Sequence, residues 1–300
     1  MVQTITAPTF HGTFTALITP FRDDAIDEAA LRNLVEFQIA GGVNGLVPCG
    51  TTGETATMSD EERDEVIRIV VEQTNGRVPV IAGTGGNDTR RTITATRRAN
   101  ELGADAALVV VPYYNKPTAA GLIAHYTAVA ESTDLPIILY NVPGRTGINM
   151  TAETTLEIAQ LPTVAGIKEA SGSLDQVSEI IAGAPEDFAV LSGDDSLTVP
   201  MMSIGATGVI SVASNIVPSE LSRMTSACRL GDFGAAAALH YELLPLMRAM
   251  FIENNPTAVK TAAAMLGLCS EELRLPLTQL SPENRARVAE AVASSAMLPA

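Results

Sequence analysis

The chain has 300 residues, with 19 Lys and Arg against 34 Asp and Glu, for a net charge of −15. This acidic balance disfavours nucleic acid and anionic membranes as partners, and 46% hydrophobic against 18% charged residues excludes a disordered chain. No run of about 18 apolar residues is present to span a bilayer, and the opening MVQTITAPTF lacks a signal-peptide pattern.

Short apolar runs alternate with helical stretches at intervals of roughly 25–35 residues, the βα rhythm. The pattern predicts strands at 12–19, 43–47, 78–82, 106–111, 136–140, 164–168, 188–192 and 208–211. Most are continuous apolar runs such as ALVVV and PIILY, as parallel strands covered on both faces require. Helices are predicted at 27–40, 60–73, 88–102, 118–132, 151–160 and 219–230. Leu31, Leu34, Val35 and Ile39 form a stripe on the first, and Gly41 stops it. Ser59 and Glu62 make a capping box for the second, and Gly103 ends the third. Eight parallel strands with intervening helices close most economically into a barrel. An open doubly wound sheet should instead show a glycine fingerprint after its first strand, where this chain has TPFRDD. The expected fold class is therefore α/β, a (β/α)8 TIM barrel over residues 1–231.

Beyond it, helices are predicted at 232–251, 256–266 and 282–294 with no strand among them, a C-terminal helical extension over 232–300. Asn255 before Pro256 and Gly267 after Leu266 read as start and stop signals for the middle helix. Cys49, Cys228 and Cys269 are far apart and odd in number, which fits a reduced, cytoplasmic protein without a disulfide frame.

In a barrel the chemistry sits at the C-terminal ends of the strands. Four ends here carry unusual polar residues: GTTGE at 50–54, PYYNKP at 112–117, YNVPGRTG at 140–147 and GIKEASG at 166–172. Of the three lysines, Lys116, Lys168 and Lys260, only Lys168 ends an apolar strand. Desolvation favours the neutral form of a lysine, the form that attacks a carbonyl to give a Schiff base. Position alone leaves open both this role and a structural pairing with Glu169. Tyr140, Tyr113 and Tyr114 place phenols at strand ends, where each can donate or accept a proton. Thr51 and Thr52 flank a glycine turn whose N–H groups suit a carboxylate, and Arg145 in PGRTG could clamp one bidentately. His11, His125 and His240 have no metal-ligand spacing. Cys49 reads as a small buried hydrophobe, and the GDD at 193–195 is a weak metal signal.

Taken in order, GTTGE, PYYNKP, YNVPGRTG, GIKEASG, LSGDD and GVISV resemble the dihydrodipicolinate synthase / N-acetylneuraminate lyase family of class I aldolases, and NNPTAVK extends the likeness into the helical tail. YNVP with Arg145 two residues beyond the proline most resembles the synthase branch. The resemblance implies condensation of pyruvate with L-aspartate 4-semialdehyde in diaminopimelate and lysine biosynthesis. It also implies a homotetramer of paired dimers, and neither a metal nor an organic cofactor. By this resemblance Lys168 is the Schiff-base lysine, and Tyr140 is the proton donor and acceptor. Thr51 links Tyr140 to Tyr114, which a neighbouring subunit supplies. Thr52 and the backbone at Ile210 would hold the pyruvate carboxylate and Arg145 that of the aldehyde, with Gly193 in the same substrate-binding set.

Some positions depart from the pattern. Ala56, Asn87 and Tyr113 match a site where some relatives bind inhibitory lysine, but Asp60 and Arg63 replace histidines common there. Arg91 replaces an acidic residue that would receive the ammonium, so weak or absent lysine feedback is expected. Gly144 stands where serine or alanine is common, loosening the loop that carries Arg145. A sugar-acid lyase of the same family would keep Lys168 and Tyr140 but need polar groups for a sugar chain in place of Arg145. A catalytically dead scaffold would have lost the lysine or its relay, and a phosphate-binding barrel would show a glycine-rich loop after strands 7 and 8.

Overall fold

The computed structural model describes residues 10–294. Residues 1–9, most of the segment read as carrying no signal peptide, lie outside that range. The barrel strands are β1 Gly12–Ala16, β2 Gly45–Val47, β3 Ile81–Gly83, β4 Ala106–Val110, β5 Ile137–Asn141, β6 Val164–Glu169, β7 Ala189–Ser192 and β8 Gly208–Ser211. They pair in parallel in the order β2-β1-β8-β7-β6-β5-β4-β3. A parallel bridge between Leu46 and Val80 joins β2 to β3 and closes the ring. The α/β barrel expected from the sequence is thus the fold observed.

Several strands are shorter than their apolar runs. β1 leaves the ladder after Ala16 because side-chain bonds take over: Ile18 N–H donates to Asn215 Oδ1 at 3.1 Å and Thr19 Oγ1 to Gly53 O at 2.8 Å. β3 begins at Ile81, past Pro79, which has no N–H to give. A two-residue pairing of Phe21–Arg22 with Ala25–Ile26 went unassigned in the sequence. Asp23 and Asp24 turn it with φ of 53° and 62°, the left-handed pair that such a hairpin requires.

Helices α1 Glu28–Ala40, α2 Asp60–Thr74, α3 Thr89–Glu101, α4 Ala119–Ala130, α5 Ala152–Ile158, α6 Leu174–Gly183, α7 Thr198–Ser203 and α8 Pro218–Arg229 cover the ring. The capping box of α2 is complete, with Ser59 and Glu62 each accepting from the other's backbone. α6 and α7 fill stretches for which the sequence pattern assigned no element. The extension follows as α9 Phe233–Ala249, α10 Thr257–Met265 and α11 Pro282–Ser294, with α9 packed on α8 and α11. Among the described residues no helix is long and apolar enough to cross a membrane.

Strand alternation divides the core in two. On β5, Ile137 and Leu139 face the helices, whereas Ile138 and Tyr140 face the lumen beside Phe14, Leu108, Leu191 and Ile210. On β6, Ile167 faces the helices, so Lys168 one residue later points inward.

The extension is locked to the barrel by a buried ion pair. Lys260 Nζ on α10 lies 2.5 Å from Glu54 Oε1, with both side chains fully enclosed. The Phe21 ring is covered by Lys260 Nζ at 4.2 Å and Arg274 Cζ at 4.3 Å from its centroid. Burial pulls the Lys260 ammonium below its ordinary value, and the charge of Glu54 opposes that pull. Glu54 sits at a left-handed φ of 57°, held there by Lys260 and by Arg274 N–H donating at 3.2 Å. Lys260→Met leaves a buried, uncompensated carboxylate and should cost about 3–5 kcal/mol in urea unfolding. Adding Glu54→Gln should recover much of that loss. An equal loss in the double variant would show that packing, rather than charge pairing, dominates.

Candidate active site

At the C-terminal mouth of the ring, a cavity of about 400 Å³ brings together Lys168, Tyr140, Thr51, Thr52, Arg145 and Gly193. A second, of about 350 Å³, shares Thr51, Tyr140 and Arg145 and reaches Tyr113 and Leu277. Six of the eight expected site residues therefore line one space, although four separate segments of sequence supply them.

Lys168 is 5% exposed and lies in register between Tyr140 on β5 and Leu191 on β7. Its Nζ stands 4.3 Å from the centroid of the Tyr140 ring. Among the described residues no carboxylate lies within ion-pair distance of it. Glu169, the alternative partner left open by the sequence, faces the other side of the sheet. There it accepts from Asn141 Nδ2 at 3.0 Å, Gln176 Nε2 at 3.0 Å and Ser171 N–H at 2.6 Å. With Glu169 satisfied elsewhere, the amine is left to the lumen. Gly193 works by absence: a Cβ there would lie 2.7 Å from Ala170 Cβ and 3.1 Å from Lys168 Cε, crowding the lysine stem.

Arg145 belongs to a single helical turn, Pro143–Thr146, ended by Gly147 at φ 76°. Its side chain is exposed at the rim and makes no ion pair or hydrogen bond among the described residues. A Cβ on Gly144 would meet nothing within 4 Å, so space does not demand glycine there. Thr52 is 2% exposed, and its Oγ1 accepts from Asn255 Nδ2 at 2.9 Å. Ile210 lies fully buried in the lumen cluster with Tyr140, and Val212 beyond it lines the cavity. Asp195 Oδ2 accepts from the N–H groups of Val212 and Ala213 at 3.0 and 2.9 Å, shaping that turn, and burial pushes its carboxyl up.

Tyr114 is the exception. It is 88% exposed at φ 72° and lines neither cavity, so one chain alone does not bring it to Lys168. Tyr113 borders the second cavity and also a third of about 430 Å³. That third space gathers Asp60, Arg63, Asn87 and Arg91, while Ala56 lines the second. Burial pushes the Cys49 thiol up to about 12 and pulls His125 down to about 4, so neither is poised as nucleophile or base at neutral pH. Among the described residues no His, Cys, Asp and Glu cluster is arranged to hold a metal.

Asn255 is the residue that sequence reasoning placed differently. Read as a helix start signal, it leaves α10 without a side-chain cap and turns its amide to Thr52 instead. The sequence signal was the doubled Asn before a proline, which marks a constrained turn but not its direction.

Residues 9–295 match the model of the dihydrodipicolinate synthetase family. The chain belongs to that family. A 4-hydroxy-tetrahydrodipicolinate synthase from Maridesulfovibrio salexigens is 53% identical over 291 residues, covering 97% of this chain and all of its own length. The crystal structure of dihydrodipicolinate synthase from Aquifex aeolicus superposes with a TM-score of 0.95 at 47% identity, covering 96% and 99% of the two chains. A chloride-inhibited dihydrodipicolinate synthase from Acinetobacter baumannii, complexed with pyruvate, gives 0.95 at 42% identity over 97% and 100%. The family match runs from β1 through α11, so the dihydrodipicolinate synthetase fold includes the helical extension as well as the ring.

Proposed function

We propose that Lys168 captures pyruvate as a Schiff base and that the chain joins it to L-aspartate 4-semialdehyde. The observation that carries this reading is an amine buried in the lumen beside Tyr140 with its neighbouring carboxylate turned away. Full-length identity of 53% to a 4-hydroxy-tetrahydrodipicolinate synthase makes the activity that of such a synthase, a lyase of the lysine and diaminopimelate route.

Lys168 Nζ adds to the keto carbon of pyruvate and water leaves, giving an imine. The protonated imine accepts the electrons of a methyl C–H bond, and loss of that proton gives an enamine. The enamine carbon attacks the aldehyde, whose oxygen takes a proton. The amino nitrogen of the semialdehyde then displaces Lys168 and closes the ring, so one water is released overall. Each stage moves a proton, and Tyr140 with Thr51 supplies hydroxyls at the cavity wall for that traffic. Thr52 and the turn after β8 line the cavity, which supports a role in holding the pyruvate carboxylate, and the Arg145 guanidinium suits the second carboxylate better than a sugar chain.

The exposed Tyr114, held at a strained φ, supports assembly: it completes the relay of a neighbouring subunit, in a homotetramer built as a dimer of dimers. The acidic chain with three unpaired cysteines works in the cytoplasm, without metal or organic cofactor. Arg63, Arg90, Arg91 and Arg98 outnumber Asp60, Asp64 and Asp88 around the third cavity, and this net positive lining opposes an ammonium there, so lysine feedback is weak or absent.

Lys168→Ala should lower kcat by at least about 10³-fold with an unchanged circular dichroism spectrum. Ordinary turnover in that variant would refute the Schiff base. Arg145→Ala should raise KM for the semialdehyde about 10–100-fold and leave KM for pyruvate nearly unchanged. A selective loss of pyruvate capture would contradict the assignment. Initial rates with added lysine should show no half-inhibition up to the low millimolar range, and strong micromolar inhibition would overturn the charge argument.

A further inference from the structure

Thr52 and Asn255 are 203 residues apart, yet Asn255 Nδ2 meets Thr52 Oγ1 at 2.9 Å in a buried contact at the edge of the cavity. The direction of that bond matters. An amide NH2 only donates, so the threonine oxygen must accept, and a hydroxyl has a single proton of its own. Among the described residues Thr52 Oγ1 has no other partner, which leaves that proton uncommitted. Asn255 Oδ1 is likewise buried without a partner. Turned the other way, the amide would present Oδ1 and consume the threonine proton.

We infer that Asn255 is a positioning residue for pyruvate: by donating to Thr52 it aims the Thr52 hydroxyl proton into the cavity, where it donates to the carboxylate of the keto acid. This rests on the reading of Thr52 as a carboxylate ligand and adds the residue that polarises it. An O–H donating to a carboxylate is a charge-assisted bond, stronger than a neutral one. Having the donor already oriented also lowers the ordering cost when pyruvate enters. Asn255 comes from the turn before α10, so the helical extension would contribute to the pocket as well as to stability.

The test is steady-state kinetics of Asn255→Asp and Asn255→Ala, each also made with Thr52→Val. Asn255→Asp keeps the shape but offers only acceptors, so it takes the threonine proton and sets a charge beside the carboxylate. KM for pyruvate should rise about tenfold or more, with kcat and KM for the semialdehyde within about threefold. Asn255→Ala should move the same constant in the same direction, and it carries the test alone if the charged variant does not fold. With Thr52→Val present, neither change at Asn255 should raise KM for pyruvate further. An unchanged pyruvate KM, a fall confined to kcat, or an equal rise with Thr52→Val would each overturn the inference. These results are distinct from a Lys168→Ala chain that still turns over, which would remove the Schiff base itself.

Discussion

Lys168 stands inside an apolar ring with no carboxylate at ion-pair distance among the described residues, and its neighbours are arranged around that condition. Removing a lone amine from water is costly, and burial beside a carboxylate would be the ordinary remedy. Here that remedy is withheld, because Glu169 is engaged by Asn141, Gln176 and Ser171 on the outer face. The lysine instead has a tyrosine ring on one side and room left by Gly193 on the other. Two anionic substrates entering a chain of net charge −15 need local compensation. The rim guanidinium of Arg145 and the hydroxyl of Thr52, both on the cavity wall, are the groups we propose for that compensation.

The helical extension shares in this arrangement. Asn255 reaches Thr52, Lys260 reaches Glu54, and Arg274 reaches both Glu54 and the Phe21 ring. The contacts to Thr52 and Glu54 converge on the turn after β2, which also carries Thr51. A loop with a non-glycine residue at φ 57° is unfavourable in isolation, and here the extension holds it. Fold stability and pocket geometry are therefore coupled through residues 51–54.

Much of the ring was legible in the chain because parallel strands buried on both faces read as unbroken apolar runs. Signals such as Ser59 with Glu62, Gly41 and Gly103 marked helix ends by local chemistry alone. Lys168 was legible for a similar reason, as a charged residue ending an apolar strand. What the chain did not reveal was direction across long separations. The exchange of a ladder bond for Asn215 shortened β1, and the turning of Asn255 toward Thr52 depends on a partner 203 residues away. Residue type alone left Glu169 as a possible partner for Lys168, and only the outward position of Asn141 and Gln176 decided against it.

The central claim is that this sheltered amine bonds covalently to a keto acid. Borohydride reduction of the enzyme in the presence of pyruvate, followed by peptide mass mapping, tests it directly. The account predicts one stable adduct, on the peptide containing Lys168, formed only when pyruvate is present. An unmodified Lys168, or an adduct carried by Lys116 or Lys260 instead, would contradict it.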